Sequence, residues 1–194
     1  MDSELQELHS ACQQWGFLQV KSHGVTPSLR EEFKREVIEL FKLPMEEKKK
    51  LWQQEDSLEG FGNAFVVSEQ QKLDWRNDFS SSDILEAYCR EIKSLATIIV
   101  CQLAKALRMD EEETRDLFSE SMQSMRMNYY PPCPEPDRVI GLSSHSVPGV
   151  LTILFQLNET EGLQVRKDDI LVPIKPLPNA LIVNVGDMME LVYI

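Results

Sequence analysis

Residues 125–130 read Met125-Arg126-Met127-Asn128-Tyr129-Tyr130, and with them the period of the chain changes. Met125, Met127 and Tyr129 alternate with Arg126, Asn128 and Tyr130, the two-residue repeat of a strand. Downstream, 138–142, 150–157, 162–166, 170–174, 180–185 and 188–194 are short, rich in Val, Ile and Leu, and separated by Pro, Gly, Asn and Asp. Many short strands at this spacing predict a sandwich or jelly roll. Eight of the ten prolines lie at or after Pro131, which places the turns in this last third.

Upstream the repeat is helical. A short helix is expected over 3–14, then a strand at Trp15–Val20 that ends in the turn Ser22-His23-Gly24. Thr26 suits an N-cap, with Pro27 at the first helical position. Leu29, Phe33, Val37, Leu40 and Phe41 follow at spacings that predict one amphipathic helix, stopped at Leu43-Pro44. Another turn or two is expected over 45–52. Residues 53–81 read as a loop with a short extended piece at 64–67. Tyr88, Ile92, Leu95, Ile99, Leu103 and Ala106 share a face and predict the longest helix, from about 83 to 107. Asp110 and Glu113 form a plausible capping box for a last helix reaching Phe118. The chain thus divides into a helical region, 1–118, with one or two short strands, and a strand region, 119–194.

Composition narrows the function classes. The chain has 194 residues, 42% of them hydrophobic and 27% charged, so it can bury one substantial core. Its net charge of −12 argues against a nucleic-acid footprint, which needs clustered Lys and Arg. The run Lys48-Lys49-Lys50 sits beside Glu46 and Glu47 and reads as a solvated helix face. The longest apolar run, near Leu95 to Cys101, is about seven residues, against ~18 for a spanning helix, so no membrane partner is expected. Cys12, Cys89, Cys101 and Cys133 form no Cys-x-x-Cys pair, and the acidic N-terminus carries no secretory signal. A cytoplasmic protein with reduced thiols is expected.

Of the three histidines, His9 falls in the first helix and His23 in a turn, and both read as structural. His145 lies in Gly141-Leu142-Ser143-Ser144-His145-Ser146, ahead of the apolar strand 150–157, at the mouth of the expected β-sandwich. An imidazole there can bind a metal.

The stretch Arg126-Met127-Asn128-Tyr129-Tyr130-Pro131-Pro132-Cys133-Pro134 resembles the signature of plant-type 2-oxoglutarate/Fe(II)-dependent dioxygenases. The resemblance continues through Gly141–Ser146, Leu151–Leu154, Glu161–Val165, Val172–Ala180 and Asn184-Val185-Gly186-Asp187. Upstream it includes Ala11–Phe17, His23-Gly24-Val25 and Leu43–Lys48. It looks closest to the senescence-related and codeine-demethylase-like branch, and it covers almost the whole chain. It implies an α+β fold, an incomplete double-stranded β-helix (jelly roll) with N-terminal and flanking helices. Residues 1–118 would be the helical N-terminal dioxygenase region and 119–194 the partial jelly-roll core.

The same resemblance implies Fe(II) and 2-oxoglutarate as cofactors and a small-molecule substrate, which intact relatives hydroxylate, demethylate or desaturate. His145 matches the first ligand of the family's iron triad. Asn128 and Tyr130 match residues that contact 2-oxoglutarate. The family's triad continues with a carboxylate two residues after the histidine and a distal histidine, followed by an Arg-x-Ser clamp. Here the carboxylate position is Val147, and no histidine follows His145 among the 194 residues. Asp187 and Glu190 are the nearest carboxylates in the final segment, and the family's aspartate at the position of Asp187 is structural. The segment between Trp75 and Ile84 is shorter than in relatives. The expectation is a C-terminally truncated member with an internal deletion, impaired or inactive. The alternative is a non-catalytic remnant or splice form acting as a binding or interaction protein. If 188–194 is a strand without its neighbour, Met188, Leu191 and Ile194 would lie on exposed apolar surface.

Overall fold

Three strands, each short and apolar, form the sheet that organises the C-terminal part of the chain. We describe a computed structural model for residues 3–50, 73–74, 83–110, 112, 114 and 121–193. The helices are α1 (Ser3–Trp15), α2 (Pro27–Lys42), α3 (Met45–Lys50), α4 (Asp83–Ala106) and α5 (Asp187–Tyr193). The strands are β1 (Phe17–Val20), β2 (Leu73–Asp74), β3 (Arg126–Met127), β4 (Leu151–Leu154), β5 (Gln164–Lys167), β6 (Ile170–Pro173) and β7 (Leu181–Val185). They form two compact units, one of 1–25, 91–121 and 144–194, the other of 26–90 and 122–143, with α4 running through both.

In the first unit β7 is the middle strand of the order β1-β7-β4, antiparallel to both neighbours. Phe17 pairs with Asn184 and Val20 with Leu181, while Leu151 pairs with Val185 and Leu154 with Ile182. Leu181, Ile182 and Val183 are buried in succession, so both faces of β7 are covered. Leu181 and Val183, with Leu103 of α4, have almost no exposed surface. Each such side chain contributes roughly 1.5–3 kcal/mol by leaving water. β5 and β6 form a separate hairpin closed by Asp168 and Asp169, both at positive φ (49° and 63°), the backbone of a tight two-residue turn. At the end of α1, Gly16 takes φ 65°; its amide donates to the Cys12 carbonyl at 3.0 Å and its carbonyl accepts from Val185 at 2.8 Å.

In the second unit α2 begins as its sequence requires. Thr26 is the N-cap, its hydroxyl accepting from the Leu29 amide at 3.4 Å, and Pro27 stands at the first turn. Arg30, Phe33, Val37 and Leu40 form the buried face. Phe33 stacks on Tyr88 at 3.9 Å between centroids and 7° between planes. β2 and β3 pair through Leu73–Met127 and Asp74–Arg126.

Three strand expectations are corrected. The strand expected over Met125–Tyr130 is only the two residues of β3. Residues 138–142 are not a strand: Pro136–Arg138 is a 3₁₀ turn, and Val139 and Ile140 are exposed. The strand expected over 188–194 is helix α5, Asp187–Tyr193, as far as the described residues run. Met, Glu and Leu favour helix, and Asp187 at the first turn suits the positive end of the dipole. Met188 is exposed, but on a helix rather than an unpaired strand. The expected piece at 64–67 and most of the helix up to Phe118 lie outside the described residues. At the start of the latter, the Asp110 carboxylate accepts from the Glu112 amide at 2.9 Å, the pattern of a helix cap.

Candidate functional site

His145 stands in the irregular segment between Gly141 and β4, and its side chain is exposed. The next residues are held firmly. The Ser146 hydroxyl donates to the Asp187 carboxylate at 2.9 Å. The Asp187 amide donates to the Val147 carbonyl at 2.7 Å, Gly186 to Val150 at 2.9 Å and Met188 to Gly149 at 3.3 Å. The approach leaves no room for a side chain at Gly186: a Cβ there would lie 2.1 Å from the Gly149 oxygen and 2.8 Å from that of Val147. The resemblance implied a structural role for Asp187, but not its bond to Ser146. The only signal was the Gly186-Asp187 pair after an apolar strand.

Asn128 and Tyr130 follow β3 in the other unit, and both are exposed. The Tyr130 ring lies in van der Waals range of Gly141, where a Cβ would meet it at 3.5 Å. Partial burial pushes the Tyr130 hydroxyl above the ordinary tyrosine range, opposed by the positive charge of Arg126. Tyr129 packs at a tilt on Phe41, 5.3 Å between centroids. His23 is structural, its Nδ1 accepting from the Val25 amide at 3.2 Å. His9 lies on α1.

An open facial iron centre takes two imidazoles and a carboxylate. Val147 has no lone pair to give, and Asp187 is engaged by Ser146. Among the described residues no group of three or more His, Cys, Asp or Glu could hold a metal ion. The described residues do not fit an Fe(II) centre.

Comparison with known proteins places the scaffold. A family model described as the N-terminal region of the non-haem dioxygenase in morphine synthesis matches 1–88, and that of the 2OG-Fe(II) oxygenase superfamily matches 121–193. The dioxygenase for auxin oxidation of Arabidopsis thaliana, solved with 2-oxoglutarate, is 30% identical, with 95% of this chain and 75% of that one covered at a TM-score of 0.77. The chain belongs to the 2-oxoglutarate/Fe(II)-dependent oxygenase family.

Fe(II) and 2-oxoglutarate are the cofactors of this oxygenase family, and the fold is an incomplete jelly roll with helices. Protein SRG1 of Arabidopsis thaliana is 49% identical over 214 residues, covering 99% of this chain and 60% of SRG1. Codeine O-demethylase of Papaver somniferum is 46% identical over 209 residues, covering 97% and 58%. The chain therefore spans about 60% of the length of the curated relatives it matches. The SRG1 match runs over 214 residues against 194 here, so at least 20 residues of that oxygenase's matched region have no counterpart in this chain. The shortened segment expected between Trp75 and Ile84 lies almost wholly outside the described residues. No described helix is long and apolar enough to cross a membrane.

Proposed function

We propose that this chain carries the scaffold of an oxygenase for small plant metabolites without sustaining the iron-dependent reaction itself. The observation that carries the reading is Val147 at the carboxylate position, two residues after His145. His145 is the residue that would meet the metal, and Asn128 and Tyr130 those that would face 2-oxoglutarate. The similarity to codeine O-demethylase supports a small-molecule substrate, with hydroxylation, demethylation or desaturation as the reactions of intact relatives. The matches to 1–88 and 121–193 support a division into an N-terminal region, 1–118, and a partial catalytic core, 119–194. All four cysteines are unbridged, which supports the cytoplasm as its compartment. The net charge of −12 disfavours nucleic acid as a partner.

Succinate release from 2-oxoglutarate, with Fe(II), ascorbate and O₂ supplied, tests the reading. The chain and its His145→Ala variant should give the same background. Succinate formation that the variant abolishes would refute it.

A further inference from the structure

The residues around Val147 do more than omit a donor. The amides of Gly186, Asp187 and Met188 lie at the start of α5, where a free helix leaves its N–H groups without intrahelical partners. Here the carbonyls of Val150, Val147 and Gly149 accept from them. Asp187 is thus anchored at its main chain by Val147 and at its carboxylate by the Ser146 hydroxyl. Gly186 packs too closely on Gly149 for the two segments to slide past each other.

We propose that this clasp withholds Asp187 from His145, so that among the described residues no carboxylate replaces the donor Val147 lacks and a divalent cation meets a single imidazole. The inference rests on the assignment of His145 above. A substitute ligand would have to bring a carboxylate oxygen to about 2.0–2.2 Å from the metal while the imidazole holds it. The peptide bearing Asp187 is tied at three successive amides, and its carboxylate is drawn to Ser146. The family resemblance implies that position 147 is the place where a new carboxylate completes a pair with His145.

Cobalt(II) titration followed by visible absorption reads this without turnover. The parent chain and Asp187→Asn should both lack a one-to-one site. Val147→Asp should bind cobalt at least tenfold more tightly than the parent, and Val147→Asp combined with His145→Ala should lose the gain. Far-UV circular dichroism confirms that each variant is folded. A one-to-one site in the parent that Asp187→Asn abolishes would overturn the proposal. So would a folded Val147→Asp with no gain. Succinate turnover by a parent chain that shows no cobalt site would refute the proposed function while leaving this inference standing.

Discussion

At the residue scale the proposal turns on Val147 and its neighbours. On the proposed assignment Val147 stands where the family's iron takes an acid, and its carbonyl accepts from the Asp187 amide at 2.7 Å. Val147→Asp supplies two donors where a facial centre takes three. We therefore expect no succinate from 2-oxoglutarate with this variant of the 194-residue chain, and turnover would contradict that. Gly186 is as constrained. Gly186→Ala forces a Cβ to within 2.1 Å of a backbone oxygen, so the variant should lose more than about 2 kcal/mol in urea unfolding. An unchanged midpoint would show that the clasp yields. Val147 drew notice in the sequence only because the resemblance implies a carboxylate at its position. The Ser146–Asp187 bond was not, since it joins residues 41 positions apart.

At the scale of elements, sequence reading succeeded where local chemistry and tertiary packing agree. α2 was legible from Thr26, Pro27 and the spacing of Phe33, Val37 and Leu40, all three buried in the fold. Thr26→Ala should cost about 1 kcal/mol by leaving the Leu29 amide without its cap. A loss below a few tenths would argue against that role. β7 was legible from its apolar run and sits at the sheet's centre. Leu181→Ala should cost about 2–5 kcal/mol, because the removed atoms come from a fully buried site. The errors fell on weak local signals. Val139 and Ile140 favour strand by type, but they follow the 3₁₀ turn Pro136–Arg138 and stay irregular and exposed. Residues 188–193 hold apolar side chains that suit either element, and the capped start at Gly186-Asp187 makes them helix.

For the whole molecule, the fold class was readable because the strand period and the family motifs pointed the same way. The way the chain interleaves its segments into two units was not, because it depends on long-range contacts that no local pattern encodes. Global stability should also respond to alkali. Burial pushes the Cys12 thiol from an ordinary 9.0 up to about 11, so the folded state favours the neutral form. That contribution is complete below pH 9 and is lost as pH rises through 11, on the order of 2 kcal/mol. Urea unfolding of Cys12→Ala should show a shallower decline over this window than the parent, and parallel curves would contradict it. The central claim is that this oxygenase scaffold does not hold the family's iron. Anaerobic calorimetric titration of the chain with Fe(II) tests it most directly. The account predicts no stoichiometric site of micromolar or better affinity; a tight one-to-one site that His145→Ala removes would contradict it.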